Sequence, residues 1–201
     1  MLIGVDIDEV LADTLPAFLA FHNRVFSSTW QLEHFTTTAW NRVMGLPNEV
    51  MVERVGAFFD SEHFHRLPTV PGATEAIAAL TEEHELVIVS SRWGRAAAAT
   101  EAWLHHNFRG HFAAVHFSAN HHSVELTAGK LSKAGICRKL GAELMIEDAP
   151  VYARECQAAG VQPLILTRPW NILDVVPGAL RAGSWPEVLE VIAGHARGRP
   201  R

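Results

Sequence analysis

Three acidic or hydroxylic clusters and one lysine stand where apolar runs stop. The first cluster is Asp6-Ile7-Asp8-Glu9-Val10, with two aspartates two residues apart at the end of a short β-branched stretch. Carboxylates held that close beside a core are costly unless something positive compensates, most simply a divalent cation. Hard oxygen donors favour Mg²⁺, which takes one or two protein carboxylates and leaves its other positions to water and phosphate. Glu147-Asp148, after Leu144-Met145-Ile146, can complete such an oxygen shell. Ser90-Ser91-Arg92, after Val87-Ile88-Val89, offers hydroxyl and backbone donors suited to an anion. Lys133, at the start of a helical stripe, can neutralise both an anion and the acidic groups, with Lys130 as its rival. Each cluster taken singly also reads as an ordinary turn or solvated side chain; the weight lies in their company.

The elements that must position these groups follow from the pattern. Strand-like runs at Leu2–Ile7, Leu86–Val89, Ala113–Phe117, Leu144–Ile146 and Leu164–Leu166 alternate with helical stripes. The stripes are Ala73, Ala76, Ile77, Leu80; then Ala96, Ala99, Trp103, Leu104; then Ala134, Cys137, Leu140, with Gly141 as C-cap. Ser184-Trp185-Pro186-Glu187 reads as a capping box opening a last helix through about Ile192, with a frayed Arg/Gly/Pro-rich tail from His195. Continuous apolar strands alternating with helices predict an α/β fold, a three-layer Rossmann-like parallel sheet. Ligands of such sheets bind outside the carboxyl ends of the strands, where all the clusters fall. Residues 14–68 break the alternation. They hold two helix candidates, Leu15, Phe18, Leu19, His22, Phe26 opened by Asp13 or Thr14, and Met51, Val55, Phe58, Phe59 starting near Asn48. This predicts a small helical cap inserted after strand 1, with 1–13 and 69–201 as the α/β core. Nine aromatics sit in the insert, as its own small core or, for one or two, as pocket walls that stack on a ring.

With 201 residues, 48% hydrophobic and 19% charged, the chain can build a sizeable core. A net charge of −5 gives no bulk attraction to a nucleic-acid polymer, and the basic tail of Arg197, Arg199 and Arg201 is too short to change that. Two cysteines make no disulfide scaffold, and Cys137 falls on a core stripe. His63, His65, His105, His106, His121 and His122 match no zinc spacing; the last pair sits in a loop that can border the site. No apolar run reaches a membrane span and no leader pattern opens the chain, which leads to the expectation of a cytoplasmic protein with no membrane partner.

The order Asp-x-Asp, hydroxyl, helix-start lysine, acidic pair resembles the haloacid-dehalogenase-like superfamily of phosphohydrolases over nearly the whole chain. Asp6 through Thr14, Lys133 through Gly141 followed by Ile146-Glu147-Asp148, and Thr167-Arg168-Pro169-Trp170-Asn171 resemble its 5′(3′)-deoxyribonucleotidase branch. The resemblance implies Asp6 as nucleophile forming an aspartyl-phosphate, and Asp8 as general acid/base. It also implies Ser90 and Lys133 on the phosphoryl oxygens, and Mg²⁺ held by Asp6, the Asp8 main-chain carbonyl and Asp148. Ser91 and Arg92 would face substrate. A carboxylate nucleophile splits the hydrolysis into two steps. Dehalogenases of the superfamily lack the second aspartate, so Asp8 favours phosphoryl transfer. Two departures stand out. Glu9 replaces a glycine common among relatives, with solvent as its simplest destination, and Glu147 precedes Asp148 where Asp-Asp is commoner, leaving the direct ligand open between the two. Asp13 is expected to cap the first helix or contact ligand, and Arg92 to meet substrate or form a surface salt bridge. The expected activity is Mg²⁺-dependent hydrolysis of a small-molecule phosphate ester, foremost a nucleoside monophosphate. The alternatives are a sugar phosphate or other small phosphorylated metabolite, or a non-catalytic nucleotide binder.

Overall fold

A computed structural model describes residues 1–121 and 128–198. Six parallel strands form one sheet in the order β3-β2-β1-β4-β5-β6. They are β1 (Leu2–Val5), β2 (Glu85–Ser90), β3 (Ala114–Phe117), β4 (Leu144–Glu147), β5 (Gln162–Leu166) and β6 (Leu180–Ala182). The chain runs outward from β1 through β2 to β3, then returns to the other side of β1 for β4. The strand order therefore reverses between β1 and β4, which pair Ile3 with Leu144 and Val5 with Ile146. That reversal opens a crevice at the carboxyl ends of these two strands.

The inner strands are apolar on both faces, as helices on both sides require. Ile3, Val5, Ile88, Val89, Leu144, Met145 and Ile146 are fully buried. Gly4 lies at the centre of β1, where an added Cβ would stand 2.7 Å from Met145 Sδ and 3.3 Å from Cys137 Sγ. Only glycine lets α7 (Lys133–Leu140) approach the sheet this closely. Ser132 caps α7 by accepting from the Gly135 N–H, and Gly141, at φ 75°, closes it. The lysine at its first turn is thereby aimed at the strand ends.

The other core helices are α5 (Ala73–Leu80), α6 (Ala97–Asn107), α8 (Pro150–Ala158) and α9 (Trp185–Arg197). The last helix continues through His195 to Arg197, beyond the expected fraying point; Arg199 and Arg201 lie outside the described residues. Its capping box is shifted by one residue: Ser184 Oγ accepts from Glu187 N, but the Glu187 carboxylate accepts from Gly183 N rather than from Ser184. β6 was not visible in the residue pattern.

Between β1 and β2, residues 14–68 form α1 (Thr14–Val25), α2 (Trp40–Val43), α3 (Asn48–Phe59) and α4 (Glu62–His65), with no strand among them. Phe18 and Phe35 are fully buried, and Phe58 and Phe64 nearly so. Their rings interlock: Phe18 stacks on Trp40 at 5.0 Å, and Phe58 meets Phe18 and Phe64 edge-on at 5.5 Å each. The expected separate core of the insert is instead one buried aromatic cluster continuous with the core around β1 and β4. The two ends of the insert meet: Ala12 bridges Thr69, and Asp13 N–H donates to Pro68 O. No helix among the described residues is long and apolar enough to cross a membrane.

Candidate functional site

The crevice beyond β1 and β4 widens into a cleft of about 180 Å³, open to the surface between the sheet and helices α2 and α3. Asp6, Asp8, Glu9, Glu147 and Asp148 form its floor, Ser91, Arg92, Trp93 and Asn120 one side, Tyr152 and Trp170 another. Thr38, Trp40, Asn41, Asn48, Met51, Val52, Val55, Phe58 and Phe59 overhang it.

Asp6 continues β1 by one more ladder bond, its N–H donating to Ile146 O at 3.0 Å, so its side chain leaves a rigid strand end. It is 4% exposed. Lys133, with no exposed surface, stands 2.8 Å from Asp6 Oδ2 and 2.7 Å from Glu147 Oε2. One ammonium therefore bridges carboxylates from the two central strands. It also lies 4.3 Å from the Tyr152 ring. Asp6 Oδ1 is buried and has no hydrogen-bond partner among the described residues. Burial, with Glu147 nearby, pushes the Asp6 carboxyl up to about 7 against the pull of Lys133. The Lys133 ammonium is held well above its usual range, because Asp6 and Glu147 outweigh its desolvation.

Glu147 and Asp148 differ in their engagement. Glu147 Oε2 accepts from Lys133, and Oε1 accepts from the Asp148 and Ala149 N–H groups at 3.1 and 3.0 Å. Both of its oxygens are occupied. Burial raises its carboxyl to about 7, with Asp148 adding and Lys133 opposing. Asp148 accepts the Trp170 indole N–H on Oδ2 at 2.7 Å, and burial plus the Asp6 charge lifts it to about 6. Oxygens of Asp6, Glu147 and Asp148 can all lie within 4.8 Å of one another. An all-oxygen donor set with a buried orphan carboxylate oxygen fits a hard divalent cation. Asp6 and Asp148 have the capacity to hold it, whereas Glu147 is committed to orienting Lys133 and the Asp148 backbone.

Asp8 faces the other way. Its Oδ1 accepts from Thr14 Oγ1 at 2.7 Å and Arg92 Nη2 at 2.7 Å, while Arg92 Nε lies 3.1 and 3.2 Å from its two oxygens. Burial alone would raise this carboxyl, but the guanidinium and these hydrogen bonds outweigh it and hold it below the usual carboxylate range. Arg92 is 3% exposed; its Nη1 donates to Thr100 Oγ1 and its guanidinium sits 4.8 Å from the Phe64 ring. The salt bridge expected at the surface for Arg92 is instead a buried clamp on Asp8, formed by a residue that also lines the cleft. Ser90 is fully buried, its Oγ accepting from Arg92 N at 3.3 Å, which leaves its own O–H to donate. Ser91, not Ser90, lines the cleft; Asn120 Nδ2 donates to Ser91 O.

Glu9 does not point into solvent. It is 5% exposed, and its Oε1 accepts from Leu15 N at 2.5 Å, capping α1 from inside the site. Burial and the Asp148 charge raise its carboxyl well above the usual range. Its φ of 62° explains why a glycine is comfortable there. Asp13 stands at the N-cap position but makes no side-chain capping bond, because Glu9 has taken that role. His121 stacks on Tyr152 at 5.0 Å and pairs with Glu155; His122 lies outside the described residues. Thr14, Tyr152 and Trp170 join the site without having been assigned a part by their residue types. Only the spacing Asp8 to Thr14 and the motif around Trp170 carried any signal for them.

A protein-family model described as 5′ nucleotidase, deoxy (pyrimidine), cytosolic type C protein matches residues 1–198. No curated protein matches the chain. Among solved structures, it is similar to a predicted phosphatase from Clostridium acetobutylicum, at 14% identity and a TM-score of 0.70, covering 96% of this chain and 98% of that one. A haloacid dehalogenase-like family hydrolase from Streptococcus pneumoniae matches at 13% identity and a TM-score of 0.69, covering 95% and 97%. A magnesium-bound HAD-family hydrolase from Bacillus subtilis matches at 13% and 0.58, covering 95% and 97%. At these identities the structures establish a shared fold, and the family match extends over nearly the whole sequence. The chain belongs to the 5′ nucleotidase, deoxy (pyrimidine), cytosolic type C family, phosphohydrolases of the haloacid-dehalogenase-like fold.

Proposed function

We propose that this chain is a Mg²⁺-dependent phosphomonoesterase that hydrolyses nucleoside monophosphates in the cytosol through an aspartyl-phosphate on Asp6. The observation that carries the reading is the state of Asp6. One oxygen is fixed by Lys133, while the other, Oδ1, is buried and unpartnered among the described residues, in a side chain that lines the cleft. A nucleophile needs that arrangement: held in orientation, yet with one lone pair uncommitted.

In this reading Asp6 attacks phosphorus, and the ester oxygen leaves as the P–O bond breaks. Lys133, beside Asp6, and Ser91 on the cleft wall would donate to the phosphoryl oxygens; the Ser90 hydroxyl, buried behind Ser91, would join them only once substrate draws the end of β2 toward it. Asp8 gives a proton to the leaving alkoxide, then takes one from the water that cleaves the aspartyl-phosphate. As it stands, Arg92 and Thr14 keep Asp8 ionised, which suits the second step; the first requires the carboxyl to turn off Arg92 and take up a proton from solvent, the proton it then passes to the leaving oxygen. Asp6, Asp148 and the Asp8 main-chain carbonyl would hold Mg²⁺, which supplies charge neutralisation for the transferring group. Residues 14–68 act as a cap that selects the ester. Trp40, Phe58 and Phe59 reach the cleft, while Phe18, Phe35 and Phe64 turn inward, so the walls that remain aromatic favour a planar base. Thr38, Asn41 and Asn48 on the same wall keep a sugar phosphate as the second reading.

Phosphate release from a panel of nucleoside and sugar monophosphates, with Mg²⁺ and with EDTA, tests this. Metal-dependent turnover fastest on nucleotides is expected, and its complete loss in a folded Asp6→Asn protein. No turnover on any monophosphate, or a fully active Asp6→Asn protein, would overturn it.

A further inference from the structure

The proposed chemistry leaves the segment 167–171 idle, yet this segment braces both acidic loops. Arg168 Nε and Nη2 donate to Glu9 O at 2.8 and 2.6 Å, holding the turn after β1. Asn171, fully buried, donates from Nδ2 to Asp148 O at 2.7 Å and to Leu166 O at 2.9 Å, tying the loop after β4 to the end of β5. Its own carbonyl oxygen Oδ1 accepts from Arg168 N and from Arg181 Nη1 in β6. Between these anchors Trp170 is 6% exposed, lines the cleft, and donates its indole N–H to Asp148 Oδ2 at 2.7 Å.

We infer that Trp170 is a positioning residue for the cation site, its indole N–H fixing one oxygen of Asp148 so that the other is presented to the metal ion. This rests on the reading above that Asp148 ligates a divalent cation. A carboxylate on a single Cβ can rotate about χ2, and each rotamer would present different lone pairs. Asn171 fixes the Asp148 backbone, and Trp170 fixes its side chain, so rotation is closed off at both ends. Indole is a donor only, so it orients the carboxylate without competing for the ion. Glu147 needs no such partner, since three donors from Lys133, Asp148 and Ala149 already saturate it.

Calorimetric titration of Mg²⁺ into the metal-free full chain, without substrate, separates the possibilities. Outer partners of ligating groups typically affect metal affinity by roughly 10–100-fold. Trp170→Phe, which keeps a ring but loses the N–H, should weaken Mg²⁺ binding by that factor, with the metal-free melting temperature close to the parent's. Trp170→His, which restores a ring N–H, should recover part of the affinity, and Asp148→Asn should bind no better than Trp170→Phe. Binding by Trp170→Phe within about twofold of the parent would overturn the positioning role and leave the metal site standing. Equal weakness in the Phe and His proteins would assign the effect to ring bulk and overturn the hydrogen-bond role. Absence of saturable Mg²⁺ binding in the parent would overturn the metal reading itself, and this inference with it. Should Trp170→Phe fail to fold, Trp170→Met, which also lacks a donor, takes its place with the same outcomes: binding within about twofold of the parent overturns the role, and greater loss with recovery in Trp170→His supports it.

Discussion

Replacing Lys133 by methionine keeps a side chain of similar length in a fully buried slot and removes only the ammonium. Asp6 Oδ2 and Glu147 Oε2 then lose a donor that stands 2.8 and 2.7 Å away. Breaking a buried ion pair from one side costs roughly 3–5 kcal/mol, and here one cation serves two carboxylates. Since ~1 kcal/mol moves the melting temperature of a domain this size by roughly 2–4 °C, the metal-free variant should melt roughly 6–20 °C below the parent at pH 8. The deficit must also depend on pH. Burial already pushes both carboxyls up to about 7, with Lys133 opposing it. Its loss raises them further. A carboxyl raised on folding supports the fold while it is protonated, fully so below its unfolded value, and withdraws that support as pH climbs through the folded value. The gap between parent and variant should therefore narrow toward pH 5 and widen by pH 8. Scanning calorimetry with EDTA from pH 5 to 8 reads this directly. A deficit below ~1 kcal/mol at pH 8, or one that stays constant over that range, would refute the account of Lys133 as the shared counter-ion.

The same logic governs the parent protein: with Asp6 and Glu147 near 7 and Asp148 near 6, its metal-free stability should fall from pH 5 to 8, and Mg²⁺ should restore it at pH 8. Melts with and without EDTA check this, and no Mg²⁺ effect at pH 8 would count against the site. Arg92→Met removes the clamp that holds Asp8 low, so the alkaline limb of the kcat/KM profile, set by the carboxyl that must be protonated to release the alkoxide, should move to higher pH; an unshifted limb would remove Asp8 from the proton-transfer role. Glu9→Gln keeps an acceptor for Leu15 N without a buried charge, and chemical denaturation should find it as stable as the parent at pH 5 and more stable at pH 9. Trp40→Ala should lower kcat/KM for nucleotides roughly tenfold with a modest stability loss, whereas Phe18→Ala, in the inward aromatic core, should cost roughly 3–5 kcal/mol of stability. Steady-state kinetics and melting curves on both proteins separate wall from core.

The sheet was legible because its central strands are apolar on both faces and end in chemistry, so five strands could be read from runs such as Val87-Ile88-Val89. β6 was not, since Leu180–Ala182 is three residues long and gains its identity only by pairing with β5. The same holds for α2 and α4, four residues each, too short to show a helical period. Asp6, Lys133 and Asp148 announce themselves by type at strand and helix ends. What a sequence does not announce is direction. Glu9 follows Asp8 and looks like one more surface acid until a left-handed turn swings it inward to cap α1. Arg92 meets Asp8 across 84 residues, and that meeting depends on β1 and β2 lying side by side. Trp170 was visible as part of a motif, but its bond to Asp148 needs β4 and β5 to be neighbours.

The charge balance of the cleft floor joins stability to catalysis. Asp6, Glu9, Glu147 and Asp148 are buried together around one ammonium, since the Asp8 charge is cancelled by Arg92. If all four were ionised they would leave a formal charge of −3, from −4 and +1, in a place where water cannot solvate it. Such a cluster has two ways to relax. It can take up protons, which is what the raised carboxyls at Asp6, Glu147 and Asp148 express, or it can take up a cation. The two are not equivalent for chemistry. A protonated Asp6 is a far weaker nucleophile toward phosphorus, whereas a cation shared with Asp148 would leave Asp6 ionised. Metal binding must therefore release protons, and Mg²⁺ affinity and turnover should rise together as pH goes from 6 to 8. Turnover that rises over this range while Mg²⁺ affinity stays flat would mean that the acidic floor is neutralised by something other than the ion.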